Sequence, residues 1–567
     1  MTPLHQDAAS ADAEAIAALQ RGDLPAAEAR FREAIARFGA RPDRLAMLGQ
    51  ILLRLVRPQE AARALSEANA ALPDNPAIEL ALGVALVQSG EPAAALALLE
   101  HAVKTSPSDK DAWNALGLAR CATGNVDGAG AAFERALAAA PRFAPALVNW
   151  CDALAGAGRV DEAINIASAA VERHPDDPDA WFTLGNLQMR EGRLDAARDA
   201  YTRSAALFPG NAPTHVNLGL VLQWSGRLAD AEKEFRTART IDPADPDARF
   251  GLATTLLKQR KSDEGWALYA QGREGAPDWP GRRIPARAWD GRTFADGALL
   301  VDADQGIGDV LQFARFLPLA RERVPRLVVY CSSYQAPAIP LLASMRGIDA
   351  VVGPGSGAQA VAATCAMSEL PHLLRLRDAA FAPVDAYLAP PSQAVRRWAS
   401  RVAALSGCKV GLCWGGNPRP EYAEAHKIDR RRSIPAARLA WLALLPGISL
   451  VSLQKGAAAG DKAAFGAALH DWTYELADFG ETAALIANLD LVVSVDTSVV
   501  HCAGATGARV FMLDRFDNCW RWGADAKAPG WYRGLRVFRQ SAFGDWTGAL
   551  DELRVALDEW TRAPDRR

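Results

Sequence analysis

A proline that recurs every 34 residues limits what the first half of this chain can fold into. Proline lacks a backbone N–H and clashes with the preceding helical turn, so it ends a helix. The prolines that keep this spacing are Pro73, Pro107, Pro141, Pro175, Pro209 and Pro243. A period of this length with one helix end in each unit predicts a stack of helical hairpins that bury their apolar faces against one another.

Two further sets of residues keep the same register. Leu-Gly pairs mark the first helix of a unit and begin at Leu48, Leu82, Leu116, Leu184 and Leu218. Alanines mark the second helix, at Ala61, Ala95, Ala129, Ala163, Ala197 and Ala231, and most are followed four residues later by a large residue, namely Leu65, Leu99, Phe133, Tyr201 and Phe235. Small residues let the two helices approach closely, and the large residue is expected to fill the space between hairpins.

In this register the units begin near residues 8, 42, 76, 110, 144, 178, 212 and 246, with degraded first and last units. The unit at 144 departs most, because Trp150-Cys151 replaces Leu-Gly. These motifs resemble the tetratricopeptide family over residues 8 to about 275. The resemblance implies an all-α superhelix, assigned to residues 1–275, with a concave groove that binds a peptide or a protein. The alternative is an array that serves only as a spacer or a dimerisation surface.

The second half has a different pattern. After Tyr269 comes a Gly, Pro and Trp-rich linker, GREGAPDWPGRRIPARAWDGRTFADG. It leads into a strand at 298–303, a glycine turn, a helix VLQFARFLPLARERV and a strand at 327–332, which together make a βαβ unit. A second series of apolar strands occupies 409–416, 448–454, 489–496 and 508–514. We therefore predict two Rossmann-like α/β lobes, 276–395 and 396–567, the second ending in a C-terminal helix.

The turn after the first of these strands carries the first candidate site. It reads Gln305-Gly306-Ile307-Gly308-Asp309, and its two glycines allow a ligand to approach the backbone closely. Asp309 is expected at the helix start, facing the cleft between the lobes. Its alternative role is an ordinary helix N-cap.

A second strand-to-helix junction, at residues 494–501, carries Asp496, Thr497, Ser498 and His501. Free N–H groups and the positive end of the helix dipole suit a diphosphate, and the two hydroxyls add donors. The alternative is a capped helix with His501 as a core residue.

Between these junctions, Gly415, Gly416 and Asn417 end a strand and precede a basic segment. Lys427, Arg430, Arg431 and Arg432 are expected in a loop before a helix, either as an anion site or as a solvated face. Gln454 and Lys455 end the next strand on the same expected edge of the sheet.

Asp302-Ala303-Asp304 has the D-x-D spacing of a metal site. Asp302 lies in a strand that should be buried, and basic residues can replace a cation. We therefore expect no metal.

Several strings resemble the heptosyltransferase-like glycosyltransferases of GT-B fold, and more closely the bacterial tetratricopeptide proteins that carry such a domain at the C-terminus. They are DQGIGDVLQFARFLPL, GLCWGGNP, DRRRSIP, SLQKG, DTSVVHCAGATG, DNCWRWG and WYRGLRVFRQ, in the family's order. The resemblance implies transfer of a sugar from a nucleotide-sugar co-substrate with inversion, and no cofactor. Asp309 then looks like the general base, Arg432 like the residue that neutralises the donor phosphates, and Asp496, Thr497, Ser498 and His501 like the nucleotide and diphosphate loop.

Charge and cysteine content exclude other classes. With 63 basic and 66 acidic residues, the net charge of -3 gives no global attraction to nucleic acid or an anionic membrane. The eight cysteines show no C-x-x-C pair, which indicates reduced thiols rather than disulfides or zinc ligands. No secretory signal and no apolar stretch of about 20 residues is present, so we expect a cytoplasmic protein without a transmembrane segment.

The sequence thus predicts a metal-independent, inverting glycosyltransferase whose repeats recruit an acceptor protein. Flagellin or another surface protein is a candidate, because some similar tetratricopeptide glycosyltransferases modify such proteins. Two alternatives stay open. The acceptor is a lipid or polysaccharide and the repeats dock partner enzymes, or the chain is a non-catalytic scaffold.

Overall fold

The computed structural model describes residues 3–271, 288–356, 361–419, 423–528 and 530–562. The chain divides into two compact units, Met1–Thr214 and His215–Arg567. The division falls inside a repeat helix, so the second unit contains the last repeats as well as the α/β half. The predicted domain boundary at residue 275 lies outside the described residues.

The first part of the chain forms an unbroken series of helical hairpins. Their helices are α1 Pro3–Gln20, α2 Leu24–Phe38, α3 Pro42–Arg54, α4 Pro58–Ala71, α5 Pro76–Ser89, α6 Pro92–Thr105, α7 Lys110–Ala122, α8 Val126–Ala139, α9 Ala144–Gly156, α10 Val160–Arg173, α11 Pro178–Arg190, α12 Leu194–Leu207, α13 Ala212–Trp224, α14 Leu228–Ile241, α15 Pro246–Lys258 and α16 Ser262–Gln271. Their starts at 42, 76, 110, 144, 178, 212 and 246 agree with the predicted register.

Caps and prolines explain where these helices begin and end. Asn75, Asp109, Asp177 and Asp245, which lie at multiples of the repeat, accept backbone N–H bonds at the starts of α5, α7, α11 and α15. The corresponding residue of the departing unit is Phe143, which makes no side-chain cap bond. Each second helix from α4 to α14 ends two residues before a proline of the 34-residue series.

The Leu-Gly pairs leave room for the large residue of the second helix. A Cβ built on Gly117 would lie 2.4 Å from the ring of Phe133, and one on Gly185 would lie 2.6 Å from the ring of Tyr201. The departing unit reverses this fit, because Cys151 stands in the glycine position and Ala167 in the position of the large residue, both buried. Both side chains are buried, so the hairpin packs with a smaller pair at this contact.

Two parallel sheets form the α/β half. The first has the order β3-β2-β1-β4, and the second has the order β10-β9-β8-β5-β6-β7. The strands are β1 Ala298–Asp302, β2 Leu327–Tyr330, β3 Ala350–Val352, β4 Val361–Ala366, β5 Cys408–Cys413, β6 Ile448–Ser452, β7 Leu469–His470, β8 Leu491–Val495, β9 Val510–Asp514 and β10 Leu535–Arg539. Six of them were predicted. Sequence analysis missed β3, β4, β7 and β10.

Helices cover these sheets. They are α17 Ile307–Phe313, α18 Leu317–Arg321, α19 Ile339–Leu342, α20 Leu370–Leu373, α21 Ser392–Ala403, α22 Ala423–Arg432, α23 Phe479–Ile486, α24 Ser498–Ala505 and the C-terminal α25 Thr547–Arg562. The continuous helix expected after β1 is wrong. It breaks into α17, a 3-10 turn at Ala314–Phe316 and α18, because Pro318 has no N–H to extend the ladder.

Candidate functional site

Each sheet has one topological switch point. At this point the chain connections that leave two neighbouring strands run to opposite sides of the sheet. In the first sheet it lies between β1 and β4, and in the second between β5 and β8. Open α/β sheets bind ligands beyond the carboxyl ends of the strands at such a point. The loop after β1 leads to Asp309, and the loop after β5 carries Gly415 to Asn417. The loop after β8 carries Asp496 and Thr497 and leads to Ser498, the first residue of α24. The predicted residues therefore follow the strands at these switch points.

Asp309 is not the N-cap of its helix. Gly306 occupies the cap position of α17, and Asp309 is the third helical residue. Its carboxylate Oδ1 lies 2.5 Å from Nη2 of Arg521, and its side chain is 27% exposed. The carboxylate is therefore held from one side and still reaches solvent.

Arg521 is buried and makes a contact with every nitrogen of its guanidinium. Nε donates to Gln312 Oε1 at 2.9 Å, Nη1 to Cys519 Sγ at 3.1 Å, and Nη2 to the hydroxyl of Tyr269 at 3.3 Å. Burial lowers the pKa of Arg521, but the attraction of Asp309 and the interactions with Cys519 and Tyr269 together outweigh it, and the pKa is raised well above its usual range. The side chain is a permanent cation behind Asp309.

The starts of α17 and α24 touch at a glycine. A Cβ on Gly308 would lie 2.8 Å from Cδ2 of His501 and 3.3 Å from Cα of Ser498. His501 is buried, stacks on Trp522 with ring centroids 5.3 Å apart, and shares a 3.0 Å hydrogen bond with the Tyr532 hydroxyl. Burial lowers the pKa of His501 to about 4, so the imidazole is neutral at physiological pH.

The start of α24 places the positive end of a helix dipole beside Asp496. Thr497 is its N-cap and accepts the N–H of Val499 at 3.3 Å, as the alternative interpretation of this junction required. The first N–H groups of a helix have no partner within the helix and carry the positive end of its dipole. Asp496 and Ser498 flank the cap and are half-buried.

Arg432 lies against the same junction. Its Nη1 donates to the backbone oxygen of Asp496 at 3.0 Å, and its Nε donates to Asp429 at 3.0 Å. A Cβ on Gly416 would lie 2.0 Å from Asp429 Oδ1 and 2.3 Å from Arg432 Nη2, so only glycine leaves room for this pair. Ser433 completes the contact by accepting the N–H of Gly416 at 3.1 Å.

The basic segment is not the loop that the sequence predicted. Lys427, Arg430, Arg431 and Arg432 all lie in α22, because the segment AEAHKIDRRR contains strong helix formers and neither glycine nor proline. The helix turns them in different directions. Arg431 pairs with Asp517 at 3.1 Å, whereas Lys427 and Arg430 are exposed. The structure therefore brings only Arg432 to the loop after β8.

Gln454 and Lys455 shape the neighbouring loop. Gln454 is buried, accepts the N–H groups of Trp414 and Gly415 at 2.8 and 2.7 Å, and donates to the backbone oxygens of Gly415 and Lys455. Lys455 donates to the backbone oxygen of Leu476. The amide of Gln454 thus ties the end of β5 to the end of β6. Asn417 is exposed in the loop after β5.

The D-x-D pair is part of the first sheet. Asp302 ends β1 and is 2% exposed. Asp304 accepts the N–H of Ser368 at 3.1 Å and its hydroxyl at 2.6 Å, and so joins the loop after β1 to the turn after β4. This bonding gives Asp304 a structural role.

Sequence reasoning missed the group that holds Asp309. Arg521 stands between two tryptophans inside the string DNCWRWG, and a lone arginine between apolar residues was the available signal. Tyr269 gave no separate signal, because it occupies the position that a large residue fills in every regular repeat. Gln312, Asp429 and Ser433 lie beside predicted residues and were also missed.

The repeat array of the first unit has its own polar features. Asn149 on α9 donates to Asn114 on the preceding first helix, α7, at 2.9 Å. A cavity of about 440 Å³ is lined by residues that include Gln50, Leu80 and Ser106. These side chains present amide, hydroxyl and apolar groups, which are suited to a peptide.

A group of carboxylates around His101 in the first unit has the ligand types of a cation site. Asp74, Glu79 and His101 bring their ligand atoms within 4.8 Å of one another. Nδ1 of His101 bonds both oxygens of Glu79, and this bond raises the pKa of the imidazole. An ion pair accounts for this cluster.

Comparison with known proteins identifies the repeats. Models described as tetratricopeptide repeat match residues 13–76, 80–142, 149–212 and 225–282, which confirms that part of the prediction. Protein FlbA of Caulobacter vibrioides is 27% identical over 338 residues, which cover 55% of this chain and 55% of FlbA. The chain therefore spans little more than half the length of this curated relative.

Two solved structures are similar to part of the chain. A tetratricopeptide repeat protein from Parabacteroides merdae is 19% identical, with a TM-score of 0.35, over 44% of this chain and 99% of that one. Yeast Tom70 is 16% identical, with a TM-score of 0.38, over 45% of this chain and 56% of that one.

Two further expectations concern the whole chain. All eight cysteines lie within the described residues, and six of them are buried. Within the described ranges, no helix has both the length and the apolar character needed to cross a bilayer.

Proposed function

We propose that the chain is an inverting glycosyltransferase of GT-B type, which moves a sugar from a nucleotide donor to a protein recruited by the repeats. One observation carries the proposal. The start of α17, which bears Asp309, packs at Gly308 directly against the start of α24, which bears Thr497 and Ser498. A carboxylate from one sheet and an anion-binding helix start from the other are thus neighbours.

The second sheet supplies the donor side. The α24 start and Arg432 direct positive charge to the region beside Asp496. A departing nucleotide diphosphate gains negative charge as the glycosidic bond breaks, and fixed donors and cations stabilise that charge. Gly415, Gly416 and Asn417 form the adjacent loop, where the absence of side chains at the glycines allows the donor close to the backbone.

The first sheet supplies the base. An inverting displacement needs a carboxylate that accepts the acceptor's proton on the face opposite the leaving group. Arg521 engages Oδ1 of Asp309, which leaves Oδ2 to accept that proton. Arg432 is a permanent cation at the phosphate site, so the proposed mechanism needs no metal there.

The repeats supply the acceptor. Tetratricopeptide repeats bind proteins, and the Asn114–Asn149 pair and the cavity beside Leu80 lie on this array. We therefore propose a protein acceptor, with flagellin or another surface protein as the candidate that the similar tetratricopeptide glycosyltransferases indicate.

The test compares two aspartates that lie beyond opposite ends of β1. Asp309 follows the carboxyl end of β1, whereas Asp296 is exposed just before its amino end. The wild type, Asp309→Asn and Asp296→Asn are incubated with labelled nucleotide sugars and host lysate. We expect protein-linked label from the wild type and Asp296→Asn, and a loss of roughly 100-fold or more with Asp309→Asn.

Other outcomes decide between the alternatives. Label that partitions with lipid or glycan would replace the protein acceptor by one of those. Calorimetric titration with UDP, GDP, ADP and CDP tests the donor site directly, and binding of none of them would indicate a non-catalytic scaffold.

A further inference from the structure

The last repeat helix, α16, contributes a side chain to the surroundings of Asp309. Tyr269 on this helix accepts a hydrogen bond from Nη2 of Arg521 at 3.3 Å, and the same Nη2 holds Asp309 Oδ1 at 2.5 Å. One nitrogen therefore joins the repeat tyrosine and the proposed base. All three residues lie in the compact unit His215–Arg567.

We propose that Arg521 is a positioning residue for Asp309 and that Tyr269 holds Arg521 in place, so that sugar transfer depends on the last repeat. This inference rests on the proposed function and goes beyond it, because it assigns part of the catalytic geometry to the repeat array.

The burial of the two charges is unequal, which argues for a positioning role. The Arg521 side chain is 10% exposed and that of Asp309 is 27% exposed. A buried guanidinium is costly unless it is paired and hydrogen-bonded, and within the described residues Asp309 is the carboxylate that pairs with it. The arginine lies behind the carboxylate and fixes one of its oxygens.

Aromatic packing fixes the hydroxyl of Tyr269. The ring stacks on Phe313 of α17 with centroids 6.5 Å apart and an interplanar angle of 11°. It meets Trp520, the residue before Arg521, edge-on at 5.3 Å. The tyrosine therefore contacts the helix of Asp309 and the turn of Arg521 at once, which leaves its hydroxyl little freedom to move.

The repeat itself provides a comparison. Tyr201 occupies the same repeat position as Tyr269, two 34-residue repeats earlier. Its hydroxyl donates to Asn186 at 2.7 Å within its own hairpin. A tyrosine at this repeat position therefore bonds within its own hairpin in one repeat and accepts a bond from Arg521 in the last one.

The test uses the full chain in four variants, Tyr269→Phe, Tyr201→Phe, Arg521→Lys and Arg521→Gln, alongside Asp309→Asn. Transfer is measured as kcat and as KM for the donor. We expect Tyr269→Phe to lower kcat roughly tenfold and Arg521→Gln roughly 100-fold, with donor KM within about twofold of wild type. Arg521→Lys should recover part of the loss, because it restores the charge. Tyr201→Phe should keep the wild-type kcat.

Unfolding curves in urea, recorded for both tyrosine variants, separate loss of fold from loss of position. A wild-type kcat for Tyr269→Phe, with transfer abolished by Asp309→Asn, would overturn this inference and leave the proposed function standing. Equal losses in Tyr269→Phe and Tyr201→Phe would also overturn it, since any repeat tyrosine would then do the same. If Asp309→Asn transferred as well as wild type, the proposed base and this inference would both be wrong.

Discussion

At two positions of the candidate site the geometry depends on the absence of a side chain. Gly308 lets the start of α17 meet His501 and the start of α24, and Gly416 makes room for the Asp429–Arg432 pair. Neither glycine has the positive φ that would require this residue for backbone reasons. Both are therefore needed for close approach, which is the use of glycine that ligand-binding turns share.

Gly416→Ala should disturb the donor site without unfolding the chain. The new Cβ would overlap Asp429 and Arg432, and relief of such overpacking costs about 1–3 kcal/mol of unfolding free energy. Because Arg432 must move, we expect nucleotide affinity to fall roughly tenfold, a change of about 1.4 kcal/mol. Calorimetric titration and urea unfolding measure the two effects. Gly460→Ala is the matched control, since a Cβ there meets nothing within 4 Å, and equal affinities in both variants would contradict the role of Arg432.

His501 makes the stability of the second unit depend on pH. Burial lowers the pKa of its imidazole to about 4 in the folded chain, against about 6.5 when unfolded. As the pH falls, the unfolded state therefore binds the proton before the folded state does. The neutral histidine contributes to the unfolding free energy above pH 6.5, and this contribution is lost as the pH falls towards 4. In urea unfolding, the difference between wild type and His501→Phe should shrink by about 3 kcal/mol over this window. A difference that stays constant with pH would refute the assignment.

At the scale of the elements, the helices of the repeats are fixed by pairs of small and large residues. Gly49, Gly83, Gly117, Gly185 and Gly219 each face the large side chain of the following helix. The departing unit instead buries Cys151 and Ala167 at these two positions. A hairpin of this array therefore also forms when the glycine position carries a side chain and the second helix carries a small one.

Two glycines of the array should respond to the same substitution with opposite signs. Gly185→Ala places a Cβ 2.6 Å from the Tyr201 ring and should lower the unfolding free energy by about 1–3 kcal/mol. Gly156, at the end of α9, has nothing within 4 Å, so Gly156→Ala should raise it by about 0.5–1 kcal/mol through helix propensity. Urea unfolding of the two variants measures both changes. The packing argument would be wrong if the two variants shifted in the same direction.

The elements that could be predicted are those marked by residues within the element or next to it. Prolines and capping residues mark the ends of the repeat helices, and runs of apolar residues mark β1, β2, β5, β6, β8 and β9. The short strands β3 and β7 and the edge strand β10 lack such runs, so they could not be distinguished from loops. The contact between Gly308 and His501, and the pair of Arg521 with Asp309, join residues about 190 and 210 positions apart. No spacing in a single sequence reveals such pairs.

At the scale of the whole molecule, the compact units do not coincide with the change in sequence pattern. The division falls within α13, between Thr214 and His215, so the last repeats belong to the unit that holds both sheets. Trp266 of α16 stacks on Phe381 at 5.5 Å and meets Trp520 edge-on at 5.4 Å. Lys258 of α15 donates to Asn518 at 3.1 Å. The final hairpin is thus part of the core of the α/β half.

Truncation tests this integration. A chain of residues 212–567 keeps α13 to α16, whereas a chain of residues 272–567 loses them. Each large aromatic side chain buries roughly 150–250 Å², so loss of Trp266 and Tyr269 forfeits about 4–6 kcal/mol for each at about 25 cal/mol per Å². The sum for the two side chains is comparable to the free energy of unfolding of a whole domain, which is typically about 5–15 kcal/mol. We expect 212–567 to unfold cooperatively in urea and to retain near-ultraviolet circular dichroism. The chain 272–567 should show neither cooperative unfolding nor near-ultraviolet circular dichroism. Equal unfolding midpoints for the two chains would show that the sheets do not need the final repeats.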